Sequence, residues 1–201
     1  MNKYLKHIGI FFIFSVISTS TSNSEEGYMY GGAKLFNYNV SNSELQAINT
    51  SLVNLGFSSS TTSSENEGTG FDIGVGSNLT NFLAWEIGYV NYGKVEITTT
   101  TTGPAETIKT EIDGDGITSA LVLKVGKNNI NHAFLKVGAH AWDLKGRVNT
   151  SLGSSSQPFG HGTDPYFALG FKTKYLFAGY DYYLIDDNDI SSYSIGLWAD
   201  F

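Results

Sequence analysis

The chain of 201 residues has no cysteine and only 3 prolines. Without cysteine, neither a disulfide framework nor a thiolate metal site can form. Charged residues are also few, at 15% of the chain, and the 12 Lys and Arg residues are outnumbered by 19 Asp and Glu residues. This acidic balance disfavours nucleic acid as a partner.

Long apolar runs are scarce as well. The one such run, "IGIFFIFSVI" at 8–17, follows Lys3 and Lys6 and precedes the small polar stretch "STSTSNS". This three-part pattern predicts a secretory signal peptide over residues 1–24, cleaved to leave a mature domain of residues 25–201. The run is too short for a membrane-spanning helix, which needs about 20 apolar residues. A helical membrane protein is therefore excluded, but a membrane β-barrel is not, because its strands carry apolar residues only at alternate positions.

Glycine, in contrast, is abundant, with 23 residues, and apolar side chains alternate with small or polar ones along most of the mature chain. Both features are typical of an all-β protein. Most of the alternating segments have about the length of a tilted membrane strand. The eight segments are 27–39, 68–78, 82–94, 114–126, 132–144, 163–172, 175–185 and 190–201.

The connections between these segments alternate in length. Three are tight turns, "LTN" at 79–81, "KNNIN" at 127–131 and "TK" at 173–174, whereas the others include long polar loops at 40–67, 95–113 and 145–162. Short turns on one side and long loops on the other predict an eight-stranded antiparallel up-and-down transmembrane β-barrel of a bacterial outer membrane.

The first long loop has a helical pattern of apolar residues, with Ser43 as a candidate cap. The residues are Leu45, Ile48, Leu52 and Leu55. We interpret this segment as a short helix packed on the barrel rim; a partner-binding helix is the alternative.

The two faces of each segment differ in charge. In the third segment, Leu83, Trp85 and Ile87 share one face and Glu86 lies on the other. An interior of eight strands is just wide enough to be filled by side chains, and inward glycines make room for the lysine stems. Buried charges need partners, so we expect an internal hydrogen-bonded ionic network. Its predicted members are Lys34, Asp72, Glu86, Lys124, Lys136, His140, Lys172 and Asp181.

This arrangement is the inverse of a soluble barrel, which would place apolar residues inside and charge outside. The inversion favours the membrane barrel, with a soluble periplasmic barrel as the alternative. Aromatic residues near strand ends fit the aromatic girdles at membrane interfaces. These residues are Tyr28, Tyr30, Tyr92, Trp142 and Tyr193.

The last segment, "SYSIGLWADF", ends in an aromatic residue. A strand at a chain end would expose a sticky edge unless both of its sides were paired, so it is predicted to close the barrel. Its apolar face consists of Tyr193, Ile195, Leu197, Ala199 and Phe201.

Several of these segments resemble strands of the OmpA-like transmembrane domain family over residues 25–201. "YGGAKLFNY" is similar to the first strand, "WEIGYVNYGK" to the third, "LVLKVG" to the fourth, "FLKVGAHAWDLKG" to the fifth and "DPYFALGF" to the sixth. The resemblance implies an eight-stranded outer-membrane barrel and a terminal aromatic pattern, Tyr193 to Phe201, read by the barrel-assembly machinery. It also leads us to expect no peptidoglycan-binding domain after Phe201.

The resemblance further implies an internal salt-bridge network that gates a narrow water path. Lys34, Glu86, Lys124 and Lys136 match members of that network, whereas Lys172 replaces a carboxylate of some relatives. Gly179 stands where some relatives carry an arginine, the usual partner of the position that Glu86 occupies.

A structural and surface-interaction role is the leading hypothesis. The expected partners are outer-membrane lipids and lipopolysaccharide, the assembly machinery, and a host or phage ligand at the long loops, with the barrel a monomer. A small-solute channel, an adhesin and a lipid A-modifying enzyme are the alternatives. No enzyme activity or cofactor is expected, because no histidine forms a His-x-Ser pair. No metal is expected either, because "DGDG" at 113–116 and "DDND" at 186–189 lack the spacing of a calcium loop.

Overall fold

The computed structural model describes residues 27–38, 40, 42–54, 56–103, 105–126, 131–151, 153–185 and 188–201. The predicted signal peptide, Leu55 and most of the 127–131 turn lie outside the described residues. The elements are β1 (Gly27–Tyr38), α1 (Asn42–Asn54), β2 (Ser59–Ser64), β3 (Glu67–Asn78), β4 (Leu83–Thr102), β5 (Glu106–Val125), β6 (His132–Thr150), β7 (Gly153–Lys172), β8 (Leu176–Ile185) and β9 (Asn188–Asp200).

Eight of the described strands form a closed ring of antiparallel pairs in the order β1, β3, β4, β5, β6, β7, β8, β9. The last strand returns to the first through pairs such as Gly32 with Gly196, so the sheet has no open edge within the ring. The predicted eight-stranded up-and-down β-barrel is therefore confirmed. Within the described residues, no helix is both long and apolar enough to cross a membrane.

The ring has two faces because successive side chains of a strand point in opposite directions. In β1, Met29 and Leu35 are exposed on the outside while Lys34 and Phe36 are buried inside. The outward side chains together form an apolar belt around the ring. Its large members include Ile73, Val75, Ile117, Leu121, Leu123, Leu135, Val137, Phe167, Leu169, Phe171, Leu176, Ile195 and Leu197.

On β4, β5 and β6 the apolar belt ends at a row of three polar residues. Asn91, Asp115 and Asp143 are outward residues in direct register across β4, β5 and β6, and they replace the apolar side chains there. The barrel end with the tight turns 79–82 and 173–175, near Gly27 and Phe201, is called here the turn end. The strand portions beyond the belt at the opposite end, residues 91–102, 106–115, 143–150 and 153–163 with β2, are called the wall.

Several strands in the structure are longer than the sequence analysis predicts. β4, β5, β6 and β7 each have 19 or 20 residues, whereas the other ring strands have 10 to 13. The segments predicted to stop at Lys94 and Leu144, and to begin at Gly114 and Thr163, continue as paired strands well into the predicted loops. β2 was not predicted; it pairs with β4 alongside this extension.

A β-bulge occurs in each of two strands where they leave the belt. Tyr92 is the extra residue in β4, between Asn91 and Gly93, and Phe159 is the extra residue in β7. Gly93 has a φ of 77°, and a Cβ placed there would lie 2.3 Å from the carbonyl oxygen of Thr69, so only glycine fits this bulge.

The lumen is filled mostly by aromatic and small side chains in two layers. One layer near the turn end contains Tyr28, Tyr30 and Trp198, and the other contains Phe36 and Tyr183 among further apolar residues. The predicted aromatic girdle is therefore wrong for four of its residues, because the lumen buries Tyr28, Tyr30, Tyr92 and Trp142. Tyr193 is exposed on the outside.

The predicted helix is present as α1, which begins at Asn42, one residue before the proposed cap Ser43. It packs against β2, where Asn49 Oδ1 accepts hydrogen bonds from Ser60 Oγ and, at 2.7 Å, from Thr62 Oγ1. These bonds hold α1 to the wall at the rim of the barrel.

Candidate functional site

The candidate site is the set of ionic side chains inside the barrel. Its first cluster joins β1, β3 and β8 through Lys34, whose Nζ lies 2.5 Å from Oδ2 of Asp181 and 3.3 Å from Oδ2 of Asp72. Tyr166 donates a hydrogen bond of 2.9 Å to the other carboxylate oxygen of Asp181. The Lys34 side chain has 0% exposure, so its charge is balanced by protein groups alone.

A second cluster lies closer to the turn end. Lys136 Nζ is 2.7 Å from Oε2 of Glu86, and Tyr28 donates a 2.7 Å hydrogen bond to Oε1 of the same carboxylate. The ammonium of Lys136 also lies 4.3 Å from the ring centroid of Tyr30, a distance typical of a cation–π contact. Glu86 thus has a lysine partner inside the barrel.

A third cluster lies at the turn end. Lys172 Nζ contacts both carboxylate oxygens of Asp200, at 2.9 and 2.7 Å, and Trp198 Nε1 donates to Oδ1 of the same residue at 2.9 Å. Lys124 donates a hydrogen bond to Asn78 Oδ1 and lies 4.7 Å from the ring centroid of Tyr28. Two lysines therefore cap this end of the lumen, and each is held by side chains from strands that are not its direct neighbours in the ring.

His140 lies at the other end of the lumen and is separate from the three clusters. Its Nδ1 lies 2.5 Å from the Tyr92 hydroxyl and its Nε2 lies 2.7 Å from the Leu184 carbonyl oxygen. Because a carbonyl oxygen can only accept, Nε2 carries the proton and the Tyr92 hydroxyl donates to Nδ1 when the imidazole is neutral. His140 is therefore held by two structural bonds, and neither partner is a serine nucleophile.

The eight predicted interior residues thus fall into distinct groups rather than one network. Lys34 is placed with Asp72 and Asp181, and Glu86 with Lys136, while Lys124, Lys172 and His140 have other partners. Sequence reasoning missed Tyr28, Tyr166 and Asn78 as partners of these charges. Inward tyrosines in the alternating pattern are the available signal, but the prediction assigns Tyr28 to the membrane interface.

Inward glycines serve the aromatic rings as well as the lysine stems. A Cβ built on Gly76 would lie 2.2 Å from the ring of Tyr28, so the absence of a side chain there lets the tyrosine reach Glu86. The lumen is thereby packed with side chains that solvent hardly reaches.

Histidines and clusters of potential metal ligands are the groups that could support chemistry. No group of three or more His, Cys, Asp or Glu residues in the described parts of the chain could hold a metal ion. His161 lies on the wall, in register with Asp143 and on the outer face. These positions leave His140 and His161 on different faces of the barrel.

The outward face of β9 carries the residues of the terminal pattern. Tyr193, Ile195 and Leu197 are exposed members of the belt, and Ala199 continues the same face. The backbone N–H of Phe201 donates a 2.8 Å hydrogen bond to the carbonyl oxygen of Gly27. The pairing of β9 with β1 therefore extends to the last residue.

Comparison with known proteins relates this architecture to one family. The profile of the OmpA-like transmembrane domain matches residues 24–178. No curated protein sequence matches the chain significantly.

Solved structures share the fold at low sequence identity. The attachment invasion locus protein Ail of Yersinia pestis superposes with a TM-score of 0.53 at 14% identity, covering 89% of this chain and 100% of Ail. Ail in complex with the heparin analogue sucrose octasulfate gives a TM-score of 0.50 at 13% identity, covering 88% and 99%. Neisserial surface protein A gives 0.47 at 15% identity, covering 87% and 97%.

Proposed function

The chain belongs to the OmpA-like transmembrane domain family, and from this premise we propose that it is a closed structural barrel whose wall binds a partner at the cell surface. Its location is the bacterial outer membrane. In outer-membrane barrels the short turns face the periplasm and the long connections face the outside. The turn end is therefore periplasmic, and the wall projects from the cell.

The length of the wall strands is the observation that carries this proposal. A tilted strand needs about 9–11 residues to cross the membrane, whereas β4, β5 and β7 each have 20. About half of each strand is thus not needed for crossing. Hydrogen-bonded pairing continues to Thr101 with Glu106 and to Thr150 with Gly153, so the excess is an ordered sheet suited to presenting a fixed surface.

The charges of the wall indicate the class of partner. Lys94 and Arg147 lie 2.9 and 4.0 Å from Glu111, and Lys109 lies 2.8 Å from Glu96. Carboxylates outnumber basic residues around the wall. The acids are Glu65, Glu67, Glu96, Glu106, Glu111, Asp113, Asp115, Asp143 and Asp189, and the bases are Lys94, Lys109, Lys145 and Arg147.

Ail shares this fold, and its name and its complex with a heparin analogue support surface attachment as the kind of role. The ligand class differs in our proposal. Basic residues already paired with carboxylates attract a sulfated polysaccharide poorly, and the excess of acid repels it. A protein with a basic surface is the better match for this wall.

The lumen supports a closed barrel over a small-solute channel. Lys34, Lys136 and Glu86 are buried and paired, and aromatic layers fill the space between the clusters. Any narrow water path would require these pairs to separate, so the ionic clusters are the candidate gate. A lipid A-modifying activity has less support, because both ring nitrogens of His140 are hydrogen-bonded, to Tyr92 and to the Leu184 carbonyl oxygen, rather than to a nucleophile.

Truncation of the wall tests the proposed binding role. Ile97 and Thr110 are register partners, so replacing residues 98–109 with Asn-Gly joins them through a two-residue hairpin turn. A second variant replaces 149–154 with Asn-Gly, joining the partners Val148 and Ser155. We expect at least one truncation to reduce several-fold the adhesion of displaying bacteria to cultured epithelial cells.

Heat-modifiable gel migration of the same samples shows whether each truncated barrel is assembled. A substitution in the periplasmic turn, Leu79→Ser, is the control and should leave adhesion unchanged. If both truncated barrels assemble and bind cells as well as the unmodified chain, the wall is not the binding surface.

A further inference from the structure

One strand of the wall, β2, has an open edge. β2 and β3 pair with successive parts of the same side of β4, and β4 is the only strand that pairs with β2 among the described residues. β1 runs beside β3 but ends at Tyr38, whose N–H bonds at 2.8 Å to the carbonyl oxygen of Asn66. β2 therefore continues the line of β3 beyond the end of β1, and no described strand lies on its side away from β4.

The backbone groups of β2 alternate between β4 and this open side. The N–H of Glu65, just after β2, bonds at 2.9 Å to the carbonyl oxygen of Glu96 in β4. In an antiparallel pair every second residue bonds to the same neighbour, so Ser63 and Thr61 also direct their backbone groups to β4. The residues between them direct their N–H and C=O groups to the open side, where a further strand could bond. These residues are Ser60, Thr62 and Ser64.

The helix α1 covers the inner face of β2 and leaves this edge accessible. Asn49 accepts hydrogen bonds from two inward side chains of β2. Ile48 lines the space inside the wall together with Ile97. On the outer face of β2, Thr61 and Ser63 are exposed. The edge between the two faces therefore borders the outside.

The wall has a second open edge, on β7, and that edge is protected. β7 pairs with β8 only from Tyr166 onwards, so residues 153–165 have no described strand on that side. Pro158, Pro165 and the bulge at Phe159 lie in this stretch, and prolines and bulges hinder pairing at an edge. β2, with the sequence "SSTTSS", has no proline, no charge and no bulge. β2 is therefore the edge that can accept a strand.

Charge beside β2 indicates the chemistry of the segment that fits there. Glu65 lies opposite Glu96, which is in register with Glu111 on the outer face. Lys109 and Lys94 pair with Glu96 and Glu111, whereas no described basic side chain is within ion-pair distance of Glu65. A basic residue on an added strand would balance this exposed carboxylate, since cross-strand pairs of opposite charge stabilise a sheet.

We propose that β2 binds an extended segment of the partner protein as an additional antiparallel strand, with a lysine or arginine of that segment beside Glu65. Backbone hydrogen bonds supply the affinity in this mode of recognition, and side chains supply the selectivity. The inference rests on the proposed binding of a basic protein by the wall and identifies the edge that binds it.

A second copy of the chain fits this edge less well. Two copies in one membrane have the same orientation, so their β2 strands run in the same direction, as does β7. Neither open edge of a neighbouring copy can then supply an antiparallel strand, the arrangement of every described pair in this sheet.

A synthetic peptide tests the edge directly. Acetyl-Thr-Lys-Thr-Val-Thr-Val-Thr-amide is titrated to millimolar concentration into the barrel in phosphatidylcholine nanodiscs, and backbone amide exchange is followed by NMR. We expect the N–H groups of Ser60, Thr62 and Ser64 to exchange about tenfold more slowly on binding. Replacing the lysine with glutamate should weaken binding about tenfold.

Two controls isolate the backbone bonds. The same peptide with N-methyl groups on its last three threonines lacks the donors that face β2 and should give no protection. In the barrel, Thr62→Pro removes an N–H on the open side without removing a bond to β4, and it should weaken peptide binding about tenfold. Thr62→Val loses the same hydroxyl but keeps the N–H, so it should bind as the unmodified chain does. Absence of protection at β2, or equal protection by the N-methylated peptide, would overturn the inference.

Cell adhesion distinguishes this inference from the proposed function. Replacing 98–109 removes most of the part of β4 that pairs with β2, whereas replacing 149–154 leaves both strands intact. We expect the first truncation and Thr62→Pro to lower adhesion several-fold, and the second truncation and Thr62→Val to leave it unchanged. Adhesion that is lost on truncation but kept in an assembled Thr62→Pro barrel would overturn the edge and sustain the binding role of the wall. Peptide protection by a chain that promotes no adhesion would sustain the edge and contradict the proposed function.

Discussion

Glu86 shows how a charge is kept inside this barrel. Its carboxylate has one oxygen on Lys136 at 2.7 Å and the other on the hydroxyl of Tyr28 at 2.7 Å. Removing two charges from water costs several kcal/mol per ion, and only close pairing with further hydrogen bonds offsets that cost. The pair contributes little net stability, but loss of one member leaves the other charge buried without compensation.

Lys136→Met should therefore destabilise the barrel by about 3–5 kcal/mol, because Glu86 would be left as an uncompensated buried carboxylate. Urea unfolding in lipid vesicles, followed by gel migration, measures this loss. The double variant Lys136→Met, Glu86→Gln should recover much of it, since no buried charge remains.

Lys94→Met provides the matched control, because Lys94 pairs with Glu111 on the exposed face of the wall. Exposed ion pairs contribute little, so its effect should be much smaller. A loss for Lys136→Met no larger than that for Lys94→Met would contradict the structural importance of the buried pair.

The aromatic residues show where sequence reasoning fails at this scale. Tyr28 and Trp142 have an apolar ring and one polar atom, a combination that suits a membrane interface and a hydrogen-bonded lumen equally well. Only the strand register shows that their polar atoms reach Glu86 and Asp164. Likewise, the pairing of Lys34 with Asp181 joins strands far apart in sequence, and no local pattern encodes it.

At the scale of elements, alternation predicted the membrane-spanning parts of the strands because lipid and lumen impose opposite demands on the two faces. Beyond the belt that contrast disappears. Thr98 to Thr102 and Ser154 to Ser156 are polar on both faces of the sheet, so their strand character has no period of two to detect. Pairing with neighbouring strands, rather than amphipathic pattern, determines the length of β4 and β7.

Cross-strand ion pairs help to hold these polar extensions together. The hydrogen bond from Lys109, at 2.8 Å, lowers the pKa of Glu96 below its ordinary value. Lys109→Met should therefore raise the pKa of Glu96 towards that of a free glutamate, as measured by carboxyl-carbon NMR during a pH titration of the barrel in nanodiscs.

The sign of the associated stability follows from this lowered pKa. The pair's contribution is present above the pKa that Glu96 has in the unfolded chain and is lost as the pH falls through the lower folded value. Lys145→Met, a change on the same outer face, should leave the titration of Glu96 unchanged. An unaltered titration in Lys109→Met would mean that the bond does not persist in solution.

At the scale of the whole molecule, closure of the ring depends on the pairing of β9 with β1. Eight strands, tight turns at one end and a paired last strand are recognisable in sequence, because they follow from alternation and loop length. The wall and its bulges are not recognisable, because they arise from the pairing of β4 with β5 and of β6 with β7, which no single segment specifies.

The last residue gives a test of closure and of the terminal pattern as an assembly signal. The backbone N–H of Phe201 donates a hydrogen bond to the carbonyl oxygen of Gly27, where β9 meets β1. The Phe201 side chain is 65% exposed and lies on the belt side of β9. Phe201→Ser should reduce the heat-modifiable barrel in outer-membrane fractions several-fold, because it removes the apolar side chain that ends the pattern. Phe82→Ser is the matched control, since Phe82 is 59% exposed at the same end of the barrel but lies in a turn. Equal losses in both variants would indicate a general need for apolar surface at the turn end, and normal levels of Phe201→Ser would exclude Phe201 as part of the signal.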